Sequence, residues 1–523
     1  MNIILFICYI VCGAYLVMNI KHDIHMLQQN SYRVDRYWRW LKNNMMETSR
    51  LVDIALLFLI CSTLLNSIIS TIIITIILIF KIARIITAKY KKPLVFTKRV
   101  WRLYLSTALI LVIMYTIMVY LYYDNPVMTI GFLLMTSILS WSFAILGIFI
   151  MSPIEKIINN KYYNEAAKIL KSMQQLTVIG ITGSFGKTST KHYLHRILSE
   201  HYDVIMTPGS YNTPMGVIRT IREMMKPYNQ VFICEMGAKQ IGDIKEICDL
   251  VNPKIGIVTA VGKMHLESFK SIENVQKTKF ELIDTLPPDG LAIINNDFEY
   301  CSNRNIDNVS ALRYAVSNIE NADYVATDIN YSPLGTKFSI VGPNDFNIDL
   351  ETQLIGECNI SNLIAAVIVA IKLDVPAEKI KYAVGRIEQV EHRLNLKRTS
   401  GGVNIIDDAF NSNPTGSKMA VDVLSQFTTG KRIIVTPGMI ELGNEQFKLN
   451  KELGNYIGQK LDVAIIVGNY NRDAIVEGIK ESEFRLDNLH IVDSFTEAQT
   501  LLSKILSNGD TILYENDLPD TFK

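Results

Sequence analysis

Leu176-Thr177-Val178-Ile179-Gly180-Ile181-Thr182-Gly183-Ser184-Phe185-Gly186-Lys187-Thr188-Ser189 sets an apolar, β-branched run directly against a glycine loop that ends in Gly-Lys-Thr. The run predicts a strand over Leu176–Ile181, and the residues after the loop are helix-compatible to about Glu200. A strand, a glycine loop and a helix N-terminus together offer backbone N–H groups and a positive dipole end to phosphate. Gly183, Ser184 and Gly186 let the backbone approach such a ligand. Lys187 can neutralise β and γ phosphates, and the Thr188 hydroxyl, with Ser189 beside it, can reach magnesium. The standard spacing has glycine at position 181, where this chain has Ile181; its glycines fall at 180, 183 and 186.

Outward from this loop, from about Gln174 onward, short apolar runs alternate with helical stretches, the pattern of an α/β parallel sheet. Further strands are expected at Val231–Glu235, Ile255–Thr259 and Leu291–Asn295. No internal repeats or low-complexity tracts occur.

The N-terminal part differs in kind. The chain of 523 residues carries 52 Lys and Arg against 51 Asp and Glu, but its first 150 residues hold 14 of the former and 5 of the latter. The remainder is acidic. This division excludes a small single module, a disordered chain and a nucleic-acid binder built on whole-protein charge. Seven cysteines form no CxxC pair, which argues against a disulfide framework or structural zinc and fits a reducing compartment.

Asn2–Ile20, Leu103–Tyr123 and Val127–Ile150 contain no Asp, Glu, Lys or Arg, and Leu51–Phe80 contains only Asp53. About 20 such residues span a bilayer core. A hairpin over Leu103–Ile150 turning at Asp124-Asn125-Pro126 is expected, with Leu51–Phe80 either a second, tighter hairpin or one tilted helix. The positive-inside rule wants the basic segments 21–50 and 81–102 both on the cytoplasmic side, which the hairpin satisfies, whereas one tilted helix would leave 21–50 outside. An even number of crossings after the second of them then leaves the soluble part in the cytoplasm. Interleaved Tyr32, Arg33, Arg36, Tyr37, Trp38, Arg39 and Trp40 suit a helix against anionic lipid headgroups, as plain anchoring or as recognition of a lipid diphosphate. The expected organisation is therefore multi-domain: an α-helical transmembrane region over 1–150, a linker over 151–172, an α/β P-loop ATPase-type central domain over 173–395, and an α/β Rossmann-like domain over 396–523.

Gly180-x-Thr182-Gly183-x-x-Gly186-Lys187-Thr188 resembles the Mur ligase superfamily, and further segments follow in the family's order. Tyr211-Asn212-Thr213-Pro214-Met215-Gly216 resembles its Asn-rich substrate loop, and Glu235-Met236-Gly237-Ala238 its magnesium-binding Glu. His265-Leu266-Glu267 is similar to its second-metal His, Thr278-Lys279-Phe280-Glu281 to its Lys-x-Glu segment and Asn295-Asn296-Asp297 to its adenine-side Asn-x-Asp. Asn359-Ile360-Ser361-Asn362 follows, with Cys358 where the family has His. After Arg393, Asp407-Asp408-Ala409-Phe410-Asn411-Ser412-Asn413-Pro414 resembles a signature most like the D-alanyl-D-alanine-adding branch, and Glu441-Leu442-Gly443 lies beyond it. No Asp-Asn-Pro-Arg segment, the family's diamino-acid signature, is present.

The resemblance implies an ATP-dependent amide ligase that works through an acyl phosphate, with ATP and two Mg2+ ions. It implies Thr188, Glu235, His265 and a carbamylated Lys279 as metal ligands. Asn295 would face adenine, Arg393 and Asp408 would meet phosphate and ribose on closure about a hinge near 394–402, and Asn411 would help orient that same loop against the nucleotide. Read from residues alone, Glu235 could also be an exposed strand-end acid, His265 a loop histidine, Lys279 a surface lysine and Asp297 a turn cap. The family's UDP-binding domain is missing, and the membrane region stands in its place. A membrane-linked carboxylate acceptor, joined to an amino acid or dipeptide, is therefore expected at the cell membrane, with anionic lipids as partners. A UDP-linked wall substrate, a poly-glutamate-type ligase and a nucleotide-driven transporter are the other readings. The last would put polar residues inside the spanning helices, and the apolar runs hold almost none.

Overall fold

The computed structural model describes residues 3–45, 48, 52–55, 68–88, 90, 92–121, 126–332, 335–410 and 412–518. Two compact units result, one built on the chain up to Asn160 and one on Lys161–Leu518.

The second unit carries two α/β sheets. In the larger, β1 (Thr177–Thr182) lies between β3 (Val231–Glu235) and β4 (Ile255–Val258), all parallel. Beyond β3 comes β2 (Val204–Met206); beyond β4 come β5 (Leu291–Asn295) and β6 (Ser310–Ala315), still parallel. The four strands expected from the sequence thus form within a residue of their expected bounds. Their near-continuous apolar character has a direct cause, because helices cover both faces of a parallel sheet. On one face Ile179 and Ile181 pack with Leu194 and Ile197 of helix Lys187–Leu198 and Leu363 and Val367 of helix Glu357–Lys372. On the other, Val178 and Phe232 pack with Phe280 and Ile283 of helix Ile272–Asp284.

This arrangement explains the shifted glycine. Alternate residues of a strand face opposite ways, and a Cβ on Gly180 would lie 2.6 Å from Leu282 Cδ1 and 3.0 Å from Met236 Cε. Ile181 points to the opposite face and is fully buried there.

The sheet continues through β7 (Tyr324–Ser332), β8 (Gly335–Gly342) and β9 (Phe346–Thr352), the last two joined antiparallel. The smaller sheet has the order β10 (Asn395–Arg398), β11 (Asn404–Asp408), β15 (Thr511–Glu515), β12 (Arg432–Thr436), β13 (Val463–Val467), β14 (Leu489–Val492). All its strands are parallel except β10. The stretch 394–402, expected as a hinge, contains β10 and the turn to β11, where Thr399 N donates to Val403 O at 3.0 Å.

The first unit contains helices Ile3–Gln29, Val34–Asn43, Ile68–Thr87, Lys98–Leu121 and Pro126–Ile138, and the start of helix Ser140–Lys171. Among the described residues three helices, Ile3–Gln29, Lys98–Leu121 and Ser140–Lys171, are long and apolar enough to cross a bilayer by length and composition. Two details depart from expectation. The run Val127–Ile150 is broken at Leu139, where Thr136 and Ser137 turn their hydroxyls onto helix carbonyls and Ser140 onto the buried Asp23 carboxylate. The segment 151–172, expected as a linker, is almost wholly helical, as the end of helix Ser140–Lys171. The unit also buries more charge than the runs suggested: Lys81 pairs with Asp53, which accepts from Tyr15 Oη at 2.8 Å, and Asp23 accepts from Tyr37 Oη at 2.9 Å. Most of 51–80 before Ile68 lies outside the described residues, as does the turn at 124–125.

Candidate active site

The loop after β1 closes through its own backbone. Ser184 N donates to Ala260 O at 2.8 Å, and the Ser184 hydroxyl bridges Gly262 O and N at 3.1 and 3.0 Å. Gly183 (φ +152°) and Gly186 (φ +82°) hold conformations that a side chain would strain. A Cβ at Gly186 would also meet Asn362 Oδ1 at 2.3 Å. The Asn359-to-Asn362 segment thus braces the loop from behind: Thr190 Oγ1 donates to Asn362 Oδ1 at 3.2 Å and Tyr193 Oη to Asn359 Oδ1 at 2.8 Å. Cys358, in the expected histidine position, packs against the core of the C-terminal sheet.

Helix Lys187–Leu198 starts at the loop and carries the charged groups. Lys187 Nζ donates to Gly183 O at 2.7 Å. Burial lowers its pKa to about 8, Glu235 opposes that shift and Arg393 adds to it. Thr188 Oγ1 donates to Glu235 Oε2 at 3.1 Å. Ser189 is buried behind them.

Glu235 ends β3 almost fully buried. Its Oε2 also meets Lys191 Nζ at 3.0 Å, and Oε1 accepts from Asn212 Nδ2 at 3.0 Å. Burial works against the carboxylate's charge, but Lys191, and after it Lys187, hold the pKa below the ordinary value. A hard oxygen pair, hydroxyl and carboxylate, beside a phosphate loop is a donor set that suits magnesium. Neither Lys191 nor the role of Asn212 on Glu235 was read from the sequence. The available signal was spacing, since Lys191 lies at i+4 from Lys187 on one helix face.

His265 (φ +52°) follows β4, and its Nδ1 hydrogen-bonds Glu441 Oε2. Burial lowers the imidazole pKa and Glu441 opposes the shift. Lys279, nearly fully buried on helix Ile272–Asp284, has its pKa lowered to about 7 by burial and then by the charge of Lys187. Among the described residues no three His, Cys, Asp or Glu side chains gather as a metal-binding group.

Arg393 and Asn413 line the same small cleft as Ser184 to Ser189. The Arg393 guanidinium stacks 4.4 Å over the Phe410 ring. Asp408, at the end of β11, accepts from Leu394 N at 3.2 Å; burial raises its pKa to about 7, Arg393 opposes and Glu515 adds. Asn411 lies outside the described residues. Asn295 Nδ2 is engaged by Thr259 O and Ser361 Oγ, each at 2.9 Å, so this side chain ties β4 and β5 to helix Glu357–Lys372. Asp297 caps the following turn, accepting from Val316, Ser317 and Asn318 amides.

Comparison with known proteins places the family of the two α/β domains. The family model described as Mur ligase middle domain matches residues 181–370, and that described as Mur ligase, glutamate ligase domain matches residues 392–514. The UDP-N-acetylmuramoyl-tripeptide–D-alanyl-D-alanine ligase of Bacillus subtilis strain 168 is 31% identical over 345 residues, 65% of this chain and 72% of the relative. A crystal structure of MurF from Acinetobacter baumannii superposes with TM-score 0.62 at 26% identity, covering 69% of this chain and 77% of that one. The MurF ligase of Thermotoga maritima in complex with ADP shares the fold, with TM-score 0.61 at 24% identity over 69% and 80% of the two chains.

Proposed function

This chain belongs to the Mur ligase family of ATP-dependent amide ligases, and from that premise we propose that it is anchored in the cell membrane and ligates an amino acid or dipeptide to a membrane-linked carboxylate acceptor. The observation that carries the chemical part is the pairing of Thr188 Oγ1 with Glu235 Oε2 at 3.1 Å beside the Lys187 loop, with Arg393 and Asn413 lining the same cleft.

In this reading an acceptor carboxylate oxygen attacks the γ-phosphorus of ATP, and ADP departs. The amine nitrogen then attacks the acyl carbon, phosphate leaves and the amine loses its proton. Such a reaction depends on positioning and charge neutralisation. Lys187 and Arg393 supply positive charge to the phosphates, and Gly183, Ser184, Gly186 and Ser189 shape their cradle. Thr188 and Glu235 would hold one magnesium, which neutralises phosphate charge and orients the transferring group. His265, with Lys279 as its carbamate, would hold a second. Asn295, Asp408 and Asn411 are assigned to the adenosine side. For Asn295 its existing bonds support a bracing contribution. Closing over the acyl phosphate excludes water that would otherwise destroy it.

The membrane half of the proposal is supported by three helices long and apolar enough to cross a bilayer. It is also supported by the basic and aromatic face of helix Val34–Asn43, where Trp38 is half exposed and which suits anionic lipid. The basic loops favour a cytoplasmic catalytic unit.

A second reading has its own support, since the relatives named above add D-alanyl-D-alanine to a UDP-linked tripeptide. One assay separates the two. Purified full-length protein is given ATP, magnesium and D-alanyl-D-alanine or single amino acids, with either a polyprenyl-diphosphate-linked muropeptide or its UDP-linked counterpart. Amide product from the lipid-linked acceptor is expected; efficient turnover of the UDP form alone would select the second reading.

A further inference from the structure

Lys191 is a fully buried lysine that the reaction scheme above does not use. It sits one helical turn beyond Lys187, and its Nζ meets two acceptors: Glu235 Oε2 at 3.0 Å and the main-chain carbonyl of Gly209 at 2.5 Å. Burying an ammonium is costly unless it is both paired and hydrogen-bonded, and here both partners are specific. One is the carboxylate assigned to the nucleotide–metal site. The other is the backbone of the loop that leads from β2 to helix Pro214–Glu223.

That loop is tied to the end of β3 at other points as well. The Thr207 hydroxyl accepts from Glu235 N at 3.1 Å, Asn212 Nδ2 donates to Glu235 Oε1 at 3.0 Å, and Asn212 O accepts from Gly237 N at 2.7 Å. Between these ties, Gly209, Ser210 and Tyr211 are exposed. Arg219 donates to Tyr211 Oη at 3.1 Å from the helix that follows. Both oxygens of Glu235 are thus engaged by the loop, Oε1 directly through Asn212 and Oε2 through Lys191. The carboxylate and the exposed loop cannot rearrange independently.

We propose that Lys191 is a positioning residue for the acceptor, joining the Thr207–Asn212 loop to Glu235 so that this loop takes its acceptor-binding shape only when the nucleotide-site carboxylate is in place. The inference rests on the reading of Glu235 as the carboxylate of that site. It adds that the same carboxylate, through Lys191, orders the surface that receives the membrane-linked carboxylate. Polar buried networks of this kind act as one unit, because the loss of one member leaves its partners unsatisfied.

The test uses full-length protein in lipid nanodiscs, with Lys191→Met, Lys191→Arg and Asn212→Ala. The readouts are ADP binding, steady-state kinetics with the polyprenyl-diphosphate-linked muropeptide, and hydrogen–deuterium exchange of the 207–213 amides. For K191M the expected result is retained ADP binding and exchange of the loop amides at least about tenfold faster. Its acceptor KM should rise by about ten- to a hundredfold, the scale of losing a charge-assisted hydrogen bond. K191R should recover part of both effects, and N212A should move both in the same direction by less. Wild-type loop exchange and unchanged acceptor KM in an ADP-binding K191M would overturn the proposal, as would a loss confined to kcat. Should K191M fail to bind ADP, N212A decides in its place, since it leaves the ammonium paired: no change in loop exchange or in KM overturns it. A wild-type protein that binds ADP but ligates nothing removes the reading of the site, while the exchange comparison still decides the role of Lys191.

Discussion

The Glu441 carboxylate hydrogen-bonds the His265 imidazole, linking the turn after β12 of the smaller sheet to the loop after β4 of the larger. The contact is reinforced by the backbone, because Glu267 N donates to Glu441 O at 3.1 Å, and a Cβ on Gly443 would stand only 3.3 Å from Glu267 Cα. Lys263 Nζ and Glu445 Oε2 pair 2.7 Å apart alongside. These contacts tie the smaller sheet's domain to the loop beside the cleft that Lys187 and Arg393 line, and in the proposed reaction such a tie keeps water from the acyl phosphate. Glu441→Ala should therefore cost about 1–3 kcal/mol of interdomain contact and raise the ATP hydrolysed per amide formed, as water reaches the acyl phosphate. Glu441→Gln, which keeps a hydrogen-bonding oxygen, should be milder. Parallel assays of phosphate and amide product check this, and an unchanged ratio in Glu441→Ala would contradict it.

Lys187 Nζ meets the carbonyl of Gly183 in the loop at 2.7 Å, and in the proposed reaction its loss removes one cation from the phosphate charge. Lys187→Ala is expected to lower kcat by about a hundredfold or more, the scale of removing one preorganised electrostatic contact, while the thermal midpoint without nucleotide stays close to wild type. Isothermal titration with ADP and single-turnover ligation measure the two effects. Retained ATP-dependent ligation would sink the phosphate-loop assignment.

Gly180 and Gly183 make opposite demands, and alanine substitution separates them. At Gly180 the new methyl meets the ends of Leu282 and Met236, groups that can shift, so the cost should be overpacking of about 1–3 kcal/mol with ADP affinity largely kept. At Gly183 the φ of +152° and the approach of Ala260 N at 2.9 Å are backbone properties, and the substitution should distort the phosphate cradle. Differential scanning fluorimetry with and without ADP gives the contrast: Gly180→Ala lowers the midpoint and keeps the ADP-induced rise, whereas Gly183→Ala loses that rise. The reverse result would refute the packing account of the displaced glycine.

These contrasts also show which parts of the molecule could be read from the chain. The strand, glycine loop and helix over 176–200 were legible because backbone conformation, apolar period and a local motif agree within 25 residues. Thr188 and Glu235, which the structure brings within 3.1 Å of each other, could be singled out because each sits at an element end. Lys191 was not, because its meaning comes from Glu235 and Gly209, which reach it only through β3 and the loop after β2. Glu441 stood in a recognised segment, yet its partner His265 lies 176 residues away and follows from how two domains pack. The antiparallel extension β7 to β9 was missed although its β8–β9 turn, Gly342-Pro343-Asn344-Asp345, is a hairpin signal with Asn344 and Asp345 at positive φ, because no phosphate or metal motif lies there. In the first unit, apolar runs located the helices but could not show Lys81 turning onto Asp53, since the pairing depends on which helix faces meet.

Lys279 offers the most direct test of the proposed second metal site. Burial and the neighbouring Lys187 lower its pKa from the ordinary lysine value to about 7, so much of it is an uncharged amine at neutral pH. A neutral amine can add carbon dioxide, forming an N–C bond, releasing a proton and leaving a carboxylate that suits magnesium. Below pH 7 the amine is protonated and the addition fails. Ligation should therefore rise through about pH 7, and rise further with added bicarbonate at the acid end of that range. The sign for stability is consistent. A lysine whose folded pKa is depressed binds its proton more readily when unfolded, so its burial penalty is fully present below about pH 7 and fades as pH rises toward the ordinary lysine value. Lys279→Met should remove both the bicarbonate response and this slope in the thermal midpoint, and short-chain carboxylic acids should restore part of its activity. Native mass spectrometry at pH 8 completes the test. An increment of one carbon dioxide on the wild type and none on Lys279→Met is expected, whereas full activity of Lys279→Met without added acid would remove Lys279 from the site.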